Sequence, residues 1–294
     1  MPQRLLILGC GYLGCAVGSL FRNEGWQVWG GRRSSVNDGD LHSLGIVPVR
    51  VDVTLPHTFD SLPVNFDAVI NSVSSSRGGA DVYRSVYWEG MVNILAWTRR
   101  TGVKRLLHTS STSVYTQTDG SWVTELSAAD PSGEAGGWLR RAEDDLLLAV
   151  RSGAIEGSVV RASGIYGPGR GQLYQQILRG EARLDNEGKR WLNMIHRDDL
   201  ASALLCLMQA STLDEIYNAN DDQPVRQIDF LKWLAEATSR PMPGPADPAS
   251  MEKRKRGLTS KRVSNLKLRA TGWAPKFPNF SHGYRALIHS GTNL

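Results

Sequence analysis

A chain of 294 residues with 41% hydrophobic and 21% charged side chains can fill one large or two modest domains, which excludes an intrinsically disordered protein. Its 34 basic and 29 acidic residues leave a net charge of +5, so mild that an anionic small ligand suits it as readily as nucleic acid. Three cysteines, Cys10, Cys15 and Cys206, without CxxC spacing, exclude a disulfide scaffold and read as reduced thiols of a cytoplasmic protein.

The first element is LLILGCGYLGCAVGSLF (5–21). An apolar run followed by Leu-Gly-Cys has the look of an export signal with a lipoprotein-type cysteine. A signal peptide needs a longer positive region than one arginine, however, and has no use for ordered glycines. Gly9, Gly11 and Gly14 stand at GxGxxG spacing between the strand-like RLLIL and the helix-like YLGCAVGSLFRNEG, with WQVWGGRR as a second strand. In that setting the first glycine allows a tight turn, the second admits a pyrophosphate, and the third lets helix and strand pack. The helix opening at Tyr12 and Leu13 then offers free N–H groups and a positive dipole end to phosphates.

The end of the second strand reads WGGRRSS, and no carboxylate follows before Asp38. NAD binders place Asp or Glu there for the ribose 2′-hydroxyl. Arg32 and Arg33 can pair with a 2′-phosphate instead, and Ser34 adds a hydroxyl donor. NADP(H) is therefore expected ahead of NAD(H), against the plainer reading of two solvated arginines. A third strand, IVPVRVDV (46–53), brings Asp52 towards the adenine; FDAVINSV (66–73) is a fourth. A helix over 81–101, a strand over 103–111, a helix from Arg141 to Arg151 and a strand GSVVRAS (157–163) continue the alternation. Strands separated by helices imply a doubly wound parallel sheet with right-handed crossovers, its ligands beyond the carboxyl ends of the strands.

Four blocks, HTSSTSVY (108–115), GIYGPGR (164–170), MIHRDDLASALL (194–205) and SNLKLRATGWAPKF (264–277), resemble the extended short-chain dehydrogenase/reductase family. That family includes nucleotide-sugar epimerases and dehydratases. The GxGxxG form is closer to its atypical, epimerase/dehydratase-like subgroup. The resemblance implies a Rossmann domain over 1–165, joined again by 190–220, and a smaller substrate-binding lobe from 166–189 and 221–294. It implies that Ser111 is catalytic, with Ser110 beside it on the cofactor side, and that the loop Tyr166–Gly169 passes the nicotinamide, which makes Tyr166 a second catalytic candidate. His196 and Asp199 would pack the lobes together, His196 as a structural residue.

The chain departs from the family's YxxxK. With Glu143 aligned on the glutamate four residues after the lysine, Leu139 takes the lysine position and Ala135 the tyrosine position. No tyrosine lies between Tyr115 and Tyr166. Arg140 or Arg141 can replace a charge but not a general acid, and Tyr115, Tyr166 and Tyr174 stay open as donors. Six scattered histidines suggest no metal site. KRKR (253–256) reads as a solvated face or a grip on an anionic substrate, and without interleaved aromatics it does not suggest nucleic acid. Trp26, Trp29 and Trp97 look like packing, and Trp138 and Trp191 like pocket lining. The expected function is an NADP(H)-dependent oxidoreductase or epimerase-like enzyme acting on a small molecule. A non-catalytic NADP(H) sensor or scaffold is the other reading. No membrane contact is expected, and the two long helices suggest a homodimer.

Overall fold

The computed structural model describes residues 2–35, 38–75, 78–131, 133–246 and 259–289. Its centre is a parallel sheet of seven strands. In chain order these are β1 (Arg4–Leu8), β2 (Gln27–Arg32), β3 (Val47–Arg50), β4 (Ala68–Asn71), β5 (Arg105–Ser111), β7 (Glu156–Ala162) and β11 (Ile216–Ala219). Between and around them lie the short strands β6 (Trp122–Val123), β8 (Gly164–Tyr166), β9 (Trp191–Leu192), β10 (Met194–His196), β12 (Val225–Arg226) and β13 (Arg262–Val263).

Across the sheet the order is β11-β7-β5-β4-β1-β2-β3, and every ladder between these strands is parallel. The winding reverses between β1 and β4, which opens a crevice at their carboxyl ends. Because helices cover both faces, β1 after Arg4 and β4 before Asn71 are continuous apolar runs instead of alternating. On one face α1 (Tyr12–Asn23) and α7 (Arg197–Gln209) bury Leu13, Val17, Phe21, Leu200 and Leu204. On the other, α4 (Gly90–Thr101) and α5 (Glu134–Arg151) bury Met91, Ile94, Trp97, Leu146 and Leu147. Each fully buried Leu or Phe contributes about 1.5–3 kcal/mol.

Three features differ from the sequence reading. The third strand is shorter, ending at Arg50, because residues 51–53 leave the ladder for the crevice. The helix expected over 81–101 is interrupted by a π-helical turn, Arg84–Glu89, between α3 (Ala80–Tyr83) and α4. A seventh strand, β11, pairs with β7 after the chain returns through α7.

A second, smaller apolar cluster gathers Tyr166, Tyr174, Ile177, Phe230, Leu234 and Tyr284. It sits behind the parallel pair β8–β10 and draws on α6 (Gln172–Leu178), α8 (Gln227–Ala237) and the helix Phe280–His289. We call it the second lobe. Asp199 ties α7 to it by accepting the N–H groups of Lys276 and Phe277 at 2.7 and 3.0 Å. The KRKR run lies outside the described residues. No described helix is long and apolar enough to cross a membrane.

Candidate dinucleotide-binding site

The glycine turn is built by backbone packed against backbone. Gly9 N and Cys10 N both donate to Gly31 O, at 3.1 and 3.0 Å, lashing the turn to the end of β2. Gly9 has φ +77°, and a Cβ there would stand 2.6 Å from the backbone of Val73. Only glycine meets both conditions. At Gly14 a Cβ would meet Gly9 O at 3.0 Å and Ile7 at 3.1 Å, so helix and strand approach closely because a side chain is missing. Gly11 is different. It is the N-cap of α1 without a side-chain cap, and nothing lies nearer to its Cβ position than Gly9 O at 4.0 Å. The first intrahelical bond runs from Cys15 N to Gly11 O at 2.8 Å, so the N–H groups of Tyr12, Leu13 and Gly14 precede the ladder.

Beside this turn lies a cavity of about 830 Å³. Its walls come from the carboxyl ends of four strands: Gly9–Tyr12 after β1, Gly31–Ser34 at β2, Val51–Val53 after β3, and Val73 and Ser74 after β4. Cys15 from α1, Asp40, Leu44, Val86 from the π-turn and Arg197 from α7 complete it. Tyr87 in that π-turn accepts the N–H of Ser75 at 3.0 Å, which fixes the loop after β4.

Of the expected cofactor residues, Gly9, Gly11, Tyr12, Arg32, Arg33, Ser34 and Asp52 line the cavity, while Leu13 and Gly14 are buried beneath it. Arg33 and Ser34 are exposed at its rim. Arg32 is folded under the turn, with Nε donating to Cys10 O at 2.5 Å and a terminal nitrogen to Cys15 Sγ at 3.2 Å. Asp52 accepts the N–H and hydroxyl of Thr54 at 2.9 and 2.8 Å. Asp40, from the short helix α2 (Asp38–Ser43), also lines this end. The Cys10 thiol and then the Arg32 cation pull the half-buried Cys15 thiol down to a pKa of about 6. The sequence signals missed Asp40, Cys15, Val86 and Arg197, which reach the cavity through tertiary folding alone.

These parts fit a dinucleotide. Free N–H groups head α1, Gly11 leaves room for an approaching diphosphate, and the rim carries arginine and hydroxyl donors.

The α5 side of the sheet has another character. Ser110 is buried and donates to Glu143 Oε1 at 2.6 Å. Glu143 also takes Arg161 on both oxygens, with a shortest contact of 2.7 Å, and both side chains are essentially sealed from solvent. Arg161 donates further to Tyr115 Oη at 2.8 Å, and the Tyr115 hydroxyl donates to Asn218 at 2.9 Å. Ser110 and Tyr115 are thus committed within the core. Ala135 and Leu139, which alignment on Glu143 assigns to the tyrosine and lysine positions, share an apolar cluster with Tyr83, Val114, Tyr115 and Val263.

Ser111 ends β5 half-buried, its hydroxyl accepting Ser113 N–H at 3.1 Å to cap the next turn, which leaves its proton to donate. Tyr166 does not reach the cavity lining. Its ring stacks on Tyr284 at 4.5 Å and meets His196 edge-on at 5.3 Å inside the second lobe. Burial raises its pKa, so its phenol stays protonated. Tyr174 is buried in the same cluster. His196 caps α7 by accepting Asp198 N–H at 3.2 Å, and burial lowers its pKa to about 4. Trp138 stacks on Trp88 at 5.1 Å, and Trp191 lies against Arg226 and Arg262, so neither lines the cavity. Trp26, Trp29 and Trp97 pack within the two sheet-face cores. Among the described residues no group of His, Cys, Asp or Glu could hold a metal.

Comparison with known proteins accords with this geometry. The profile of the NAD dependent epimerase/dehydratase family matches residues 5–219. Protein YeeZ of Escherichia coli strain K12 is 27% identical over 222 residues, spanning 74% of this chain and 77% of that protein. A solved protein from Methylobacillus flagellatus, described as a candidate NAD-dependent epimerase/dehydratase, is 28% identical, with TM-score 0.79 and 100% of both chains covered. The UDP-glucose 4-epimerase of Thermus thermophilus, solved in complex with NAD, shares the fold at 20% identity, with TM-score 0.82 and 98% of both chains covered.

Proposed function

The chain belongs to the NAD dependent epimerase/dehydratase family, and from that premise we propose an NADP(H)-dependent oxidoreductase or epimerase-like enzyme acting on a small molecule. The observation that carries the reading is the cavity at the switch point, walled by the glycine turn and rimmed by Arg33 and Ser34. When bound, the nicotinamide supplies the hydride chemistry. The chain's own residues do the positioning. Amides of Tyr12 and Leu13 hold the diphosphate, Arg33 and Ser34 take the 2′-phosphate, and Asp52, braced by Thr54, flanks the adenosine. Ser111 donates its proton to a substrate oxygen at the end of β5. Because Ala135 and Leu139 replace the tyrosine and lysine of relatives, the full proton transfer is supplied by another group or by the substrate. Most of the acceleration then comes from orientation.

NAD(H) is the second reading, favoured by Asp40 at the same end of the cavity, where a carboxylate suits a free ribose 2′-hydroxyl. Calorimetry on the parent chain and an Arg33→Ala variant decides between them. The expected outcome is a roughly tenfold loss of NADPH affinity, the scale of a charge-assisted phosphate contact, with NADH unchanged. Equal losses for both cofactors, or none, would favour NAD(H). NADPH oxidation in the presence of mixed aldehydes and ketones separates an enzyme from a non-catalytic sensor.

A further inference from the structure

Tyr12 stands where three parts of the chain meet. It opens α1, and its ring centroid lies 5.3 Å from the guanidinium carbon of Arg170 and 5.1 Å from that of Arg197. Arg197 opens α7, the helix packed alongside α1, and reaches the cavity lining beside Gly11 and Tyr12. Arg170 closes a tight turn in which Gly167 and Arg170 exchange both N–H···O bonds at 2.9 Å.

That turn has no room for a side chain on its inner side. A Cβ on Gly167 would stand 2.9 Å from Tyr12 Oη and 3.3 Å from His196 Nε2, and Gly167 has φ +147°. The Tyr12 hydroxyl is buried without a hydrogen-bond partner among the described residues, and burial raises its pKa to about 12, so it remains a neutral donor.

The charges here do not balance. Two cations share one ring at the start of a helix whose dipole is itself positive there. Asp198, next to Arg197, accepts its Nε at 2.8 Å, one of five N–H donors in that guanidinium. Lys276 on the neighbouring segment is offset by the Asp199 carboxylate beside it, and His196 is neutral, so the two guanidiniums still outnumber Asp198. An anion set against the first turn of α1 would relieve this repulsion. Two guanidinium forks match the oxygens of a diphosphate better than any other group this fold presents to that turn.

We propose that Arg197 and Arg170 form an anion clamp over the first turn of α1, gripping the diphosphate of the dinucleotide and pinning the 167–171 turn that leads into the second lobe. The inference rests on the dinucleotide reading above and adds an order to it. The dinucleotide binds first, and the entry segment of the second lobe is held only afterwards. Arg197 is a positioning residue here, since no reacting atom is assigned to it.

The test combines calorimetry with hydrogen exchange on the full chain, using NADPH and ADP as ligands. Arg197→Ala is expected to weaken both by about tenfold or more, the scale of a lost charge-assisted contact. Arg197→Lys, which keeps the charge but not the fork, should lose less. Bound NADPH should slow amide exchange across residues 167–171 in the parent chain and not in Arg197→Ala. A thermal midpoint matching the parent separates loss of the clamp from loss of the fold. If Arg197→Ala binds both ligands like the parent, the clamp is wrong. Unchanged exchange at 167–171 in the parent on NADPH binding would overturn the coupling, also where the alanine variant does not fold. If the parent chain binds neither ligand, the dinucleotide reading fails, and the clamp with it.

Discussion

The glycine turn at Gly9–Gly14 and the α5 face at Ala135–Glu143 flank the same sheet but are built in opposite ways. At the turn, missing side chains keep a space open: Gly11 has nothing within 4 Å beyond one carbonyl at 4.0 Å. On α5 the corresponding space is filled, with Leu139 and Ala135 in an apolar cluster and Glu143 locked to Arg161 and Ser110. In this chain the turn whose geometry fits a dinucleotide and the α5 segment that carries Ala135 and Leu139 are built independently on one fold, the first around open space and the second around packing.

The largest effect that would sharpen this contrast is expected at Glu143. Replacing it with leucine strands Arg161 as a buried, uncompensated cation, a defect of about 3–5 kcal/mol. Urea unfolding should show that loss, while the folded fraction keeps its affinity for NADPH. If affinity collapses and stability does not, the two regions are one site and the contrast is broken. Next in size is Gly11→Val, which puts a branched side chain where a diphosphate must approach. Binding should fall by about 100-fold or more with the unfolding midpoint unchanged. Cys15 offers an independent readout: NADPH should slow its alkylation in the parent chain and fail to do so in the valine variant.

A third effect concerns acid. Burial lowers the pKa of His108 from 6.5 to about 4, and that of His196 likewise. Between those values the unfolded chain binds protons that the folded chain refuses, so stability rises with pH through this window and falls as pH drops from 6.5 towards 4. His108→Gln should flatten that slope in pH-resolved unfolding curves. An unchanged slope would assign the acid sensitivity elsewhere.

Much of the sheet was legible because six of its seven strands contain a short apolar stretch bounded by turn residues or helix-like segments. The glycine motif was legible because its spacing reports a steric need, visible here as the 2.6 Å approach to Val73. What escaped the sequence depends on where side chains point after folding. RRSS suggested two outward arginines, yet Arg32 turns inward to the Cys10 carbonyl while Arg33 stays at the rim. Serines 110 and 111 are neighbours in one motif, yet strand alternation sends the first to Glu143 and leaves the second at the strand end. Strand β11, IYNA, is set among Asp, Glu and Asn with no apolar run extending beyond it, and carries too weak a signal to be recognised without its partner β7.

That late partner bears on how the protein is made. On the ribosome, every strand of the sheet up to β7 emerges in sequence, but the outer edge of β7 stays bare until residues 216–219 follow. An uncovered edge invites pairing with other nascent chains. The helix α7, whose Leu200, Leu204 and Leu207 settle against α1, emerges first, and by docking early it can guide the closing strand to its place.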